Sequence, residues 1–262
     1  MYIPFIDELC EMANNMYRLG WDERNSGNIS CIIDDSDVFK YLKLKNDRRF
    51  FPITFDVPRL AGKYFLVTGT GVYFKNIAKN PQASLGIIKI SPDGKSYELL
   101  WGFENGESPT SELASHFLAH QTRLDCEEKH RVIMHAHPTN LVAMTFVHSL
   151  DEREFTRTLW RMCTECMMIF PEGIAVLPWM LCGTAEIGAA TAEKMKDQRL
   201  VVWANHGIFG AGKSLDDAFG LLETAEKAAE IYMKIGFKKV LQSITDTQLN
   251  SIANAYNVKP KK

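Results

Sequence analysis

No apolar run in the 262-residue chain approaches the roughly 18 residues of a helical membrane span, so no membrane partner is expected. Charge of one sign is not in excess either. Lys and Arg number 30 against 32 Asp and Glu, a net of -2, whereas general binding to nucleic acid needs clustered cations; nucleic acid is not an expected partner, and only a small local basic pocket stays open. The opening residues, MYIPFIDELCEM, have no basic stretch ahead of an apolar one, so no secretory signal and a cytoplasmic location are expected. Cysteine is too thin for a disulfide scaffold: six in a long chain read as reduced thiols. Cys163 and Cys166 make a single C-x-x-C. One pair cannot close a four-ligand zinc site, and no βαβ pattern accompanies it, so both read as buried structural thiols. Internal repeats and low-complexity linkers are missing as well. What remains is 46% hydrophobic and 24% charged, the balance of a folded globular chain long enough to bury its own core.

Phe5, Leu9, Met12, Met16 and Leu19 recur at helical spacing, with Gly20 as the stop. Residues 28–33 alternate as a strand. The polar stretch 34–56 reads as a surface excursion. Strand-like runs follow at 64–68, 84–90 and 97–103, the last two joined by the turn Ser91-Pro92-Asp93-Gly94. Pro109-Thr110-Ser111 resembles a cap region for a helix carrying Leu113, Phe117 and Leu118. Strands at 132–134 and 200–204, an extended piece at 176–178 and helices at 140–147, 155–162 and 185–195 complete the middle, with Pro138 at a helix start. Ser214 and Asp217 resemble a capping box for a long helix reaching Tyr232. The interleaving predicts an α/β fold, a single domain over 1–262 with a mostly antiparallel central sheet covered by helices on both sides.

The chemistry concentrates in histidine and in small residues. His135-Ala136-His137 follows an apolar strand, and residues two apart on a strand share a face, so both imidazoles aim at one point. Zinc commonly takes three protein ligands and keeps an open position; His206, after the strand ending at Trp203 and before Gly207, is the third candidate. A pair of half-buried strand histidines with ordinary hydrogen bonds is the alternative. His116 and His120 are a rival pair at i and i+4, but the glutamate of H-E-x-x-H is missing between them; helix packing or a supporting role is the other reading. Glu112, one turn before His116, suits a base, a ligand or a plain complement to the helix dipole. Asn25-Ser26-Gly27-Asn28 and Thr68-Gly69-Thr70-Gly71 are small enough to let backbone N–H groups reach an anion, with Thr110 and Ser111 at a helix start. Each is equally readable as a turn.

Taken together and in order, GWDERNSGN (20–28), FLVTGTGVYFKN (65–76), PTSELASHFLAH (109–120), VIMHAHPTNL (132–141), FTRTLWRMCTEC (155–166), VLPWMLCGTAEIG (176–188) and VVWANHGIFGAG (201–212) resemble the class II aldolase and adducin-type family. GWDERN and LPWM point to one sugar-phosphate aldolase branch of it. The resemblance implies a class II aldolase-like fold and an aldehyde-lyase that reversibly splits a ketose phosphate into dihydroxyacetone phosphate and an aldehyde. It implies one Zn2+ per subunit on His135, His137 and His206, with Glu112 as the acid/base group. It places phosphate among Asn25, Asn28, Thr70, Gly71, Thr110 and Ser111, and gives Glu165 a second role near the aldehyde, across a subunit boundary. It further implies a small-molecule sugar phosphate as partner and a homotetramer. Ser26 and Thr70 replace the family's glycine and serine and stay small; the last thirty residues carry no resemblance. A sugar-phosphate 4-epimerase, a fuculose-phosphate-type aldolase and a non-catalytic adducin-like scaffold are the alternatives on the same fold.

Overall fold

The computed structural model describes residues 3–42, 49–106 and 108–261. The first helix, α1 (Pro4–Leu19), starts on Pro4 and ends where Gly20 turns left-handed at φ 75°, a conformation that suits glycine. Its buried face is Ile6, Leu9, Met12, Ala13 and Met16. The expected apolar stripe is thus displaced slightly, and Leu19 is exposed. Strand β1 (Asn28–Ile33) follows. The stretch expected to be a polar excursion instead holds a short helix, α2 (Asp35–Tyr41), and an exposed strand, β2 (Arg49–Pro52); its residues 43–48 lie outside the described ones.

Strand β3 (Tyr64–Thr68), two one-turn helices α3 (Phe74–Ile77) and α4 (Pro81–Ser84), and strands β4 (Leu85–Ile90) and β5 (Ser96–Gly102) form the expected meander. Then come α5 (Leu113–Cys126), β6 (Val132–Ala136), α6 (Thr139–Val147), α7 (Glu152–Met162) and α8 (Thr164–Ile169). The N-cap of α5 is Glu112, not Thr110 or Ser111. Strand β7 (Ala175–Leu177), helix α9 (Ala185–Lys194), the hairpin β8 (Leu200–Trp203) and β9 (Gly207–Gly212), and the helices α10 (Leu215–Ile235) and α11 (Asp246–Ala255) complete the chain. Ser214 caps α10 by accepting from the Asp217 N–H. The return bond of the expected capping box is shifted: Asp217 accepts from Lys213 instead of Ser214.

Among the described residues one nine-stranded sheet runs β2-β5-β4-β3-β1-β6-β9-β8-β7. All pairs are antiparallel except β7 with β8, so the architecture is the α/β sheet expected. One face packs Ile29, Leu66, Ile87, Met134 and Val202 against α1, α6, α7 and α10. The other packs Phe65, Ile88 and Leu99 against Phe117 of α5, and Ile133, Val201 and Phe209 against Ile187 of α9. Strand β9 escapes sequence patterning because half of GIFGAG is glycine. The reason is close packing: a Cβ on Gly210 would lie 2.2 Å from Leu222, and one on Gly212 would lie 2.4 Å from the Ala218 nitrogen, both on α10. Helix α8 was likewise unread. Helix α11 has a full capping box between Thr245 and Gln248, and Arg157 and Arg161 of α7 both reach its Asp246. Among the described residues no helix is long and apolar enough to cross a membrane.

Candidate active site

The centre of the sheet positions the histidines. His135, near the end of β6, is the cross-strand partner of Phe209 in β9 and of Asn28 in β1. Its ring stacks on Phe209 at 4.4 Å between centroids and lies 5.2 Å from the Trp203 ring. His137 stands just past the strand end, where its N–H donates to the Trp21 carbonyl at 2.8 Å. His206 occupies the three-residue turn between β8 and β9. Asn205 beside it adopts φ 62°, and its N–H donates to the Thr145 hydroxyl at 2.9 Å. Gly207 closes the turn: a Cβ there would lie 2.5 Å from the Ala136 oxygen and 2.7 Å from His137 Cδ2.

These constraints bring three ring nitrogens together. Nε2 of His135 is 3.1 Å from Nε2 of His137 and 3.2 Å from Nε2 of His206. His135 Nδ1 donates to the Ile208 carbonyl at 3.0 Å, and His137 Nδ1 donates to the Glu23 carboxylate at 2.9 Å. A neutral imidazole that donates from Nδ1 presents a bare lone pair at Nε2. Burial, with His137 beside them, pushes His135 well below its ordinary pKa and His206 down to about 4, so both rings are neutral at neutral pH. Three ring nitrogens converging on one point are a donor set that a cation between them fits. Fixing the Nδ1 of His135 by a carbonyl and that of His137 by a carboxylate is the support that metal-ligating histidines usually have.

Glu112 faces this cluster. Its Oε2 is 3.6 Å from His135 Nε2 and its Oε1 is 3.8 Å from His206 Nε2. Burial raises its carboxyl pKa, opposed by Asn28, whose amide donates to Oε2 at 3.0 Å. Asn25, Ser26, Gly27, Asn28, Gly69, Thr70, Gly71, Thr110 and Ser111 line the same cavity of about 170 Å³ as Glu112 and the three histidines. Two of its loops are pinned to each other: the Thr70 N–H donates to the Ser108 carbonyl at 2.8 Å, and the Thr110 N–H donates to the Thr68 carbonyl at 3.0 Å. Gly27 and Gly71 both sit at left-handed φ, 75° and 72°, and turn the backbone of each loop around the cavity.

Ten of the eleven residues singled out from sequence therefore line one cavity. Glu165 does not. It is exposed on α8, accepts from the Cys163 thiol at 2.9 Å, and lines a separate surface cavity with Trp21 and Asn140. Several contributors were not foreseen. Glu23 orients His137, although it stands inside GWDERN. The Ile208 carbonyl leaves no trace in side-chain patterns. Cys182 offers a thiol within 4.8 Å of the ligating atoms of Glu112 and His206. The rival pair is also placed: His116 and His120 turn away from the three nitrogens, and both meet Ser30, at 2.6 Å and 2.8 Å. Cys166 is buried and its thiol is pushed up by burial, while Cys163 is half-buried.

Residues 7–233 match the family model described as the class II aldolase and adducin N-terminal domain. Rhamnulose-1-phosphate aldolase of Listeria monocytogenes is 54% identical over 258 residues, covering 98% of this chain and 94% of that protein. The enzyme of the same name from Enterococcus faecalis is 50% identical over 259 residues, covering 98% and 93%. Among solved structures, a sugar-phosphate aldolase from Thermotoga maritima superimposes with a TM-score of 0.74 at 28% identity, over 88% of this chain and 94% of its own.

Proposed function

Because the chain belongs to the class II aldolase and adducin family, we propose that it is a zinc-dependent aldolase cleaving L-rhamnulose 1-phosphate reversibly to dihydroxyacetone phosphate and L-lactaldehyde. Such a step belongs to L-rhamnose breakdown in the cytoplasm. The names of the relatives support the sugar. The observation that carries the reading is the convergence of three Nε2 atoms and a buried carboxylate in the cavity that also holds the backbone cradle.

His135, His137 and His206 are proposed to hold the zinc. When bound, such a cation polarises a carbonyl oxygen and offsets the negative charge of the cleavage. The cradle loops and the start of α5 present N–H groups and the Thr110 and Ser111 hydroxyls to the phosphate. Cleavage breaks the C3–C4 bond and leaves the electron pair on C3; the C4 hydroxyl proton passes to solvent as the aldehyde forms and C3 takes up one proton, so the proton count is unchanged. Glu112 is assigned the proton transfer at C3. Its raised pKa keeps it closer to neutral pH, where a proton can be both taken and given. Phe209 and Trp203 cover the His135 ring and keep water from that side.

Glu165 is assigned to the aldehyde end of a neighbouring subunit's site, since within its own chain it lies in a different cavity. That assignment calls for a homo-oligomer, which we take as a tetramer. The exposed apolar side chains Phe146, Val147, Trp179 and Leu181 are surface that assembly would cover. Residues 1–262 are taken as one domain, with α11 packed on α8.

The test is cleavage of L-rhamnulose 1-phosphate, followed through dihydroxyacetone phosphate, before and after chelation. Activity lost to the chelator and restored by zinc is expected. Zinc-loaded protein that leaves the substrate intact rejects the assignment.

A further inference from the structure

Behind Glu112 lies a buried file of polar side chains that the reaction does not itself require. Asn28 Nδ2 donates to Glu112 Oε2 at 3.0 Å, and Asn28 Oδ1 meets His116 Nε2 in a short contact. His116 Nδ1 meets the Ser30 hydroxyl at 2.6 Å, and Ser30 in turn meets His120 Nε2 at 2.8 Å. Ser30, His116 and His120 are at most 1% exposed, so bulk solvent does not reach them. The file joins two elements. Asn28 and Ser30 alternate along β1, and His116 and His120 lie one turn apart on α5.

With Glu112 as a carboxylate and both buried rings neutral, only one arrangement of protons satisfies these contacts. A carboxylate can only accept, so the Asn28 NH2 must face it. The Asn28 carbonyl then requires a donor, which is His116 carrying its proton on Nε2. His116 Nδ1 is left as an acceptor and takes the Ser30 proton, and Ser30 takes the Nε2 proton of His120. Once Glu112 takes up the proton it transfers, its O–H could equally be met by the Asn28 oxygen; the His116 donor on Asn28 Oδ1 then keeps the amide from turning and holds its NH2 on the carboxyl group.

We propose that His116 is a positioning residue: its Nε2 proton fixes the Asn28 amide and so sets the Glu112 carboxylate for the proton step. The role rests on Glu112 acting as the acid/base group. Buried histidines of no consequence beyond packing would not be sensitive to which ring nitrogen is kept.

Two near-isosteres separate the nitrogens. His116→Gln places an amide near the Nε2 position and can still donate to Asn28. His116→Asn reaches only the Nδ1 position and Ser30. Outer-shell partners typically carry about 10–100-fold in activity. His116→Asn is therefore expected to lose about that much in solvent-deuterium exchange into dihydroxyacetone phosphate, which reports the proton step alone, at unchanged zinc content. His116→Gln is expected to retain at least about tenfold more than His116→Asn, within the same range. Equal losses in both variants, or losses that follow zinc content, overturn the proposal. Independently of turnover, ring-nitrogen NMR of the metal-free wild-type protein is expected to show His116 protonated on Nε2 and bare on Nδ1; the opposite tautomer also overturns it. Glu112→Gln is the control for the underlying reading. If that variant exchanges normally, Glu112 is not the base and both readings fall. If it is inactive while His116→Asn is normal, only the positioning role falls.

Discussion

Replacing Gly207 with alanine adds one methyl group where the histidines proposed to hold the metal come closest to the backbone. The new carbon would lie 2.5 Å from the Ala136 oxygen, 2.7 Å from His137 Cδ2 and 2.9 Å from His135 Cε1. Ordinary contact begins near 3.4 Å, so the nearest pair must separate by about 0.9 Å (3.4 less 2.5). None of the three atoms is the free end of a flexible side chain. Ala136 is held in the β6–β9 ladder, and the two rings are held by their Nδ1 bonds. The displacement therefore passes into the His135–His137–His206 triangle, whose sides are 3.1 and 3.2 Å where measured. Misplacements of about 1 Å cost on the order of 10²-fold in turnover, and disturbed ligand support costs about 10–100-fold in metal affinity. Gly207→Ala is expected to fold, to lose zinc affinity by about that factor in competition with a chromophoric chelator, and to recover part of its turnover when zinc is supplied in excess. The matched control is Gly220→Ala on α10, where a Cβ meets nothing within 4 Å; helix propensity predicts a gain of about 0.5–1 kcal/mol. Unchanged zinc affinity in folded Gly207→Ala would refute the account of why this turn carries glycine.

Acid should destabilise the protein early. Burial lowers His116 to about 3 and His130 to about 4, and puts His120 well below its ordinary value. Each stays neutral when folded and takes up a proton when unfolded, so each contributes stability present above about pH 6.5 and lost as pH falls from there toward the folded value, about 1.4 kcal/mol per pH unit per group. Denaturant midpoints at pH 7 and pH 5 should show it, and a flat profile counts against buried neutral rings. Carboxymethylation of Cys182 puts an extra carboxylate beside Glu112 and His206; at least a tenfold loss of turnover is expected, on the order of a disturbed metal surround, and none in treated Cys182→Ser. Full activity after complete modification at Cys182 contradicts its placement. Borohydride added with substrate should trap no covalent adduct, since no lysine stands among the described residues lining the cavity; a trapped adduct would mean Schiff-base chemistry.

Much of the site is readable in the chain because its chemistry demands particular residue types at short spacing. His135 and His137 declare themselves through strand alternation, and the cradle through glycine and hydroxyl residues at turns. Their meeting with His206, 71 positions later, is set by the pairing of β6 with β9, which no local pattern records. Strand β9 lacks a strand pattern because α10 presses so closely at Gly210 and Gly212 that no side chain fits at those two positions. Helix α8, at six residues, is too short for periodicity to mark. Glu23 and Cys182 reach the site by tertiary placement alone, and single polar residues in loops give no signal of what they will touch. The i, i+4 spacing of His116 and His120 puts both on one face of α5 and leaves a rival metal pair, helix packing and a supporting role all open; in the fold both rings meet Ser30.

Asn28 and His135 face each other directly across two neighbouring central strands. The carboxylate's partner and the innermost ring nitrogen are thus held apart by a main-chain ladder whose spacing of about 5 Å is common to all sheets. Stiffness of this kind needs no closing movement to create it, and neighbouring strands share any load placed on it. Substitutions at the outer strands β2 and β7, several rungs away, can accumulate without altering that gauge. The sheet acts as the fixed jig of the histidine cluster and its carboxylate, while the loops around the cavity stand outside that ladder.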